Sequence, residues 1–184
     1  MGNNDLTEWY NRYFHTPGNG SGGVLYSFDY GNAHFINVDS NVTLSGDQMK
    51  WLERDLKNTA KKWKVAMTHE ADYGRNSRKT ALTDLFDQYG VDLVMAGHNH
   101  FYGRSKPIDT SGNNKQNGTV WSIPNTAGTK FNSTPVDRPY LSVNKQPNLP
   151  MFSEFIFTET NILLNAYTVN AAGEAALFDT YSFR

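Results

Sequence analysis

VDLVMAGHNH, residues 91–100, runs a short apolar segment straight into two histidines separated by a single residue. Val91, Leu93, Val94, Met95 and Ala96 have the length and composition of a strand buried inside a sheet. A second apolar run, WKVAMTH (residues 63–69), also ends on a histidine. In open α/β sheets ligands bind beyond the carboxyl ends of the strands, where loops can present polar groups without disturbing the core. His69, His98 and His100 are therefore expected on one rim, and imidazole is the commonest nitrogen ligand for zinc, iron and manganese. Spacing alone leaves two readings open, metal ligands or hydrogen-bonded side chains at strand ends. Gly97 is expected to allow close backbone approach or a positive φ. Alternation along an extended segment would put His98 and His100 on a shared face with Asn99 turned from it.

Upstream of this stretch the pattern alternates strand and helix. VLYSFDY (24–30) and AHFINVD (33–39) are β-rich and joined by Gly31 and Asn32, the composition of a tight hairpin. SGDQMKWLERDLKN (45–58) has Ser45 and Gln48 at capping-box spacing, Met49, Leu52 and Leu56 on one helical face, and Glu53 four residues before Lys57. TALTDLFDQYG (80–90) returns to helical spacing through Leu82, Leu85, Phe86 and Tyr89 and closes on Gly90. Residues 33–97 thus read β-α-β-α-β, a pattern that favours parallel strands with helices packed on the sheet.

Downstream the character changes to strands and loops. HFYGRSKPI (100–108), GTVWSIP (118–124), FSEFIFTE (152–159), NILLNAYTVN (161–170) and ALFDTYSF (176–183) read as strands, and residues 125–150 as one long polar loop. The fold class expected is α/β with an antiparallel C-terminal part. His15, in the Gly- and Pro-rich loop HTPGNGSGG (15–23), and His34, in an alternating strand, are read as hydrogen-bonded residues outside any site.

Composition narrows the chemistry. The 184 residues suffice for one domain with a substantial core. Seventeen Lys and Arg against 18 Asp and Glu leave a formal charge of −1 with no basic patch, so no nucleic-acid partner is expected. Without cysteine, any metal must be held by nitrogen and oxygen. No stretch approaches the ~20 apolar residues of a membrane span, and MGNNDLTEWY (1–10) lacks the basic and apolar regions of a signal peptide.

Taken in order, GNND (2–5), YSFDYGNAHFINVDS (26–40), QMKWLERDLKN (48–58), KVAMTHEADYG (64–74), YGVDLVMAGHNHFYGRS (89–105) and GTVWSIPNTAGTKF (118–131) resemble the successive blocks of the calcineurin-like metallophosphoesterases. The resemblance is nearest to the purple acid phosphatase-like branch and continues into NILLNAYTVNAAGEAALFDTYSF (161–183). It implies the C-terminal portion of a metallophosphoesterase-type β-sandwich flanked by helices, spanning residues 1–184. It also implies two neighbouring metal ions (Fe, Zn, Mn or Mg) that polarise a phosphate ester and supply a hydroxide nucleophile. Carried over by position, Asn3, His69 and His98 would bind the second metal and His100 the first. Asn4 stands where the family has a histidine that assists the leaving group.

The family's upstream Gly-Asp blocks, which bring the first metal its aspartates, have no counterpart. The only Gly-Asp pair, Gly46-Asp47, opens a helix. Met1 is accordingly expected to be an internal methionine taken as a start, or the first residue of a truncated gene, and the isolated chain weakly active or inactive. The implied substrate is a small phosphate ester, and full-length relatives are often secreted or periplasmic. Two further readings stand beside this one: a degenerate remnant with a binding or structural role, and a phosphodiesterase or nucleotidase of the same superfamily. The sequence carries no signal of oligomeric state.

Overall fold

The computed structural model describes residues 10–20, 25–71, 81–134 and 137–184. Asn3 and Asn4 lie outside them. Among the described residues three helices, α1 (Tyr10–Tyr13), α2 (Gly46–Asn58) and α3 (Ala81–Tyr89), accompany ten strands. These are β1 (Leu25–Tyr30), β2 (Ala33–Val38), β3 (Trp63–Thr68), β4 (Leu93–Ala96), β5 (Tyr102–Ser105), β6 (Val120–Pro124), β7 (Leu141–Lys145), β8 (Met151–Phe157), β9 (Ile162–Val169) and β10 (Ala175–Phe183).

Seven strands form one sheet in the order β1-β2-β3-β4-β6-β5-β7, and β10-β9-β8 form a second. The hairpin turns at Gly31, whose φ of +56° suits a residue without Cβ, and pairs Tyr30 with Ala33. β2, β3, β4 and β6 are parallel, so their carboxyl ends share one rim. β5 and β7 run antiparallel at the far edge.

The large sheet is buried on both faces, and period-two alternation assigns each residue to one of them. Ile36, Val38, Ala66, Val94 and Trp121 meet Leu52 and Leu56 of α2 and Phe86 of α3. Their neighbours in sequence, Trp63, Val65, Leu93 and Val120, meet Ile162, Leu164 and Phe183 of the small sheet. The result is a helix–sheet–sheet stack, the helix-flanked sandwich expected from the resemblance, with antiparallel C-terminal strands. At the start of α2 the expected capping box is present: Gln48 N donates to Ser45 Oγ (3.3 Å) and Ser45 N to Gln48 Oε1 (2.8 Å). No helix among the described residues is long and apolar enough to cross a membrane.

Two expectations are corrected. Residues 125–150 are not one loop: Leu141–Lys145 is a strand, pairing Tyr102 with Lys145 and Arg104 with Val143. It lies at the edge of the sheet with an alternating polar sequence, LSVNK, and only its β5 partner defines it as a strand. The left-handed residue after β4 is His98, at φ +63°, and not Gly97. A Cβ on Gly97 would meet nothing closer than His69 O at 3.6 Å, an ordinary contact.

Candidate metal centre

The parallel pairing of β3 with β4 continues one step past the strands, where Gly97 N donates to His69 O at 2.9 Å. This brings the two histidine-bearing loops together. Beyond it Asn99 N donates back to Gly97 O at 2.6 Å, closing a three-residue turn around His98. The segment is therefore bent, and His98 and His100 are not presented by simple strand alternation.

Across the rim His69 Nε2 and His98 Nδ1 lie 3.0 Å apart, with the rings nearly perpendicular at 84°. His98 Nε2 is 3.9 Å from Glu70 Oε1. Glu70 is held in turn through its backbone, whose N–H donates to Ser40 Oγ (2.8 Å) and whose carbonyl accepts from Thr68 Oγ1 (2.8 Å). His100 faces another way: its Nδ1 lies 2.8 Å from the Lys130 carbonyl. A carbonyl only accepts, so His100 carries its proton on Nδ1, and in the neutral ring the lone pair is on Nε2.

The donor set fits a nitrogen-bound metal. Two imidazole nitrogens facing each other hold one shared proton, which an ion can replace while taking both lone pairs. At metal–nitrogen lengths of about 2.0–2.1 Å, a 3.0 Å separation matches two ligands on adjacent positions of one ion. His100 has the form of a metal-binding histidine whose second nitrogen is anchored on a backbone carbonyl. Among the described residues no three His, Asp, Glu or Cys side chains gather into a complete ligand cluster, and Asn3, the remaining candidate ligand, is outside them.

Sequence reasoning passed over the polar residues around this pair. Asp39 directly follows β2 and is fully buried. Its Oδ1 accepts from Asn41 N (2.9 Å) and Nδ2 (2.6 Å), while Oδ2 has no hydrogen-bond partner among the described residues. Asn125, directly after β6, is 9% exposed, left-handed at φ +70°, and its Oδ1 has no partner among the described residues. Applying the carboxyl-end rule to β2 and β6 as well as to β3 and β4 would have found both residues. His34, by contrast, sits away from the rim between Asp29 (2.7 Å) and Asp55 (2.9 Å). Burial alone would lower its pKa, but the hydrogen bonds to Asp55 and Asp29 outweigh that and raise it.

Known proteins share this arrangement of elements. A family model described as calcineurin-like phosphoesterase matches residues 1–102. Acid phosphatase type 7 of Mus musculus is 32% identical over 130 residues, covering 54% of this chain and 30% of its own length. Purple acid phosphatase 15 of Arabidopsis thaliana is 31% identical over 121 residues, covering 57% of this chain and 23% of its own length. The chain thus spans less than a third of either curated relative. Purple acid phosphatase PPD1 from Lupinus luteus seeds superposes with a TM-score of 0.73 at 19% identity, over 92% of this chain and 34% of that one, a likeness of fold.

Proposed function

The chain belongs to the calcineurin-like phosphoesterase family, and from that premise we propose that it serves metal-dependent hydrolysis of small phosphomonoesters. The observation that carries this reading is the approach of His69 Nε2 to His98 Nδ1 at the carboxyl rim. These two nitrogens would hold one ion together with the side-chain oxygen of Asn3, and His100 Nε2 would serve a neighbouring ion. A bound iron, zinc, manganese or magnesium ion supplies Lewis acidity at the phosphoryl group and lowers the pKa of a water.

The chain's own residues do the positioning. The Gly97–His69 backbone bond keeps the two rings at their separation, and the Lys130 carbonyl keeps the His100 proton away from Nε2. Asn4 would be able to donate a hydrogen bond to a phosphate or leaving-group oxygen but not to deliver a proton. General acid catalysis contributes roughly 10²- to 10⁴-fold, so esters with poor leaving groups are hydrolysed slowly. With His100 as its ligand among the described residues, the neighbouring ion would be weakly held.

Titrating zinc or manganese into the purified chain tests the proposal. One ion is expected at His69 and His98, lost in His69→Ala and in His98→Ala, with a second and weaker one at His100 and little hydrolysis of a nitrophenyl phosphate. Metal binding unchanged in both variants would remove the site. Turnover of roughly 1 per second or faster that survives chelation would remove the metal dependence.

A further inference from the structure

Gln146 follows β7 in a stretch whose sequence reads as loop, and all four hydrogen-bonding capacities of its side-chain amide are engaged. Nε2 donates to two carbonyls, His100 O and Asn132 O, the latter at 2.8 Å. Oε1 accepts from Asn125 Nδ2 (3.2 Å) and Asn148 N (3.1 Å). Because both groups facing Nε2 are carbonyls, the orientation of the amide follows from chemistry. Only a carboxamide offers two donors and two acceptors on one planar head; glutamate has no donor, lysine no acceptor, and asparagine is one methylene shorter.

The amide brackets the anchor of the His100 ring. Asn132 N also donates to His100 O, at 2.9 Å. The Lys130 carbonyl, which receives His100 Nδ1–H at 2.8 Å, lies two residues before Asn132. Gln146 therefore ties the histidine's backbone to the loop that holds its ring. That ring anchor is a backbone carbonyl, placed by its loop rather than by a side chain of its own. If the loop moves, the proton is free to reside on either nitrogen, and Nε2 ceases to be a fixed ligand.

We propose that Gln146 is a positioning residue for His100, setting the tautomer and aim of the imidazole through the 130–132 loop. As an inference about metal binding it rests on the reading above. As an inference about the tautomer it stands without any metal. Groups that hold metal-binding histidines in place typically change affinity by about 10- to 100-fold when removed.

The test uses the full chain labelled with nitrogen-15, with the ring signals of His69, His98 and His100 followed by NMR. In the metal-free wild type His100 is expected to show a protonated Nδ1 and an unprotonated Nε2. Gln146→Glu, which keeps the shape but removes both donors, should give a mixed tautomer at His100 alone. Zinc titration should then shift the His100 signals only at a concentration about 10- to 100-fold higher, with His69 and His98 responding as in wild type. Asn125→Asp, which replaces the donor facing Gln146 Oε1, should disturb His100 in the same direction and carries the test if Gln146→Glu does not fold. A wild-type His100 tautomer in the folded variants, or equal disturbance of all three histidines, would overturn the proposal. A wild type in which no histidine responds to zinc would overturn the metal centre instead, leaving the tautomer comparison to decide the role of Gln146.

Discussion

His98 pays for its position in backbone geometry. A φ of +63° brings the Cβ of an L-residue close to its following carbonyl and costs roughly 1–2 kcal/mol. Such conformations persist where surrounding contacts enforce them, often at ligand sites. Here the Gly97 O–Asn99 N bond closes the turn and the His69 ring meets the imidazole. Substituting the same residue in two ways separates strain from chemistry. His98→Gly should be more stable to denaturant than His98→Ala by about 1 kcal/mol, since glycine adopts positive φ without penalty, while both lose the metal-binding nitrogen. Equal stabilities would show that the turn carries no strain. The histidines themselves were legible as strand-end residues, because apolar runs stop at them. Which of them carries the positive φ, and which ring nitrogen faces what, follows from contacts between residues some thirty positions apart in the chain.

Between elements, the first hairpin is joined to α2 by an ionisable cluster. His34 on β2 lies between Asp29 on β1 and Asp55 on α2, and Asp55 also accepts from Ser27 Oγ at 3.0 Å. The His34 pKa is raised, because the bonds to Asp55 and Asp29 outweigh the burial that opposes charge. A folded-state pKa above the unfolded value of about 6.5 means that the imidazolium's contribution is complete below that pH and is lost as pH rises through the folded pKa. Urea unfolding at pH 5.5 and pH 8.5 should therefore show wild type losing its advantage over His34→Gln as pH rises. A difference between the two proteins that stays constant with pH would mean that the proton plays no part. The sequence reading of His34 as a hydrogen-bonded residue agrees with its place, but its partners were not visible, since Asp55 is 21 residues away on another element.

At the scale of the molecule the two sheets are tied by a buried ion pair beside their apolar contact. Arg104 of β5, with a side chain 6% exposed, donates from Nε to Asp179 Oδ2 of β10 at 2.8 Å, and Tyr102 OH donates to the same oxygen at 2.8 Å. The guanidinium also lies over the Tyr181 ring, 4.0 Å from its centre. Burial, and then the bond to Asp179, push the Tyr102 hydroxyl pKa well up, so it remains a donor throughout the working pH range. Removing one partner of a buried pair leaves the other charge uncompensated, at about 3–5 kcal/mol. Losing a single hydroxyl hydrogen bond costs nearer 1 kcal/mol. Asp179→Ala should therefore destabilise the chain by several times as much as Tyr102→Phe in denaturant unfolding, and equal effects would show that the ion pair adds nothing to the sheet–sheet contact.

Local pattern was enough for the β-α-β-α-β half, because the hairpin turn, the capping box and the two apolar periodicities are properties of neighbouring residues. It also placed histidines at the ends of two strands, since that is where apolar runs must stop. Strand order was beyond its reach: β6 lies between β4 and β5, and β7 is a strand only through its bonds to β5. The Gln146 bracket on His100 was equally hidden, as it joins residues 46 positions apart. Backbone pairing and amide hydrogen bonds depend on which segments meet in space, and a polar stretch such as LSVNK or the glutamine after it has no structural meaning until the fold supplies its partner.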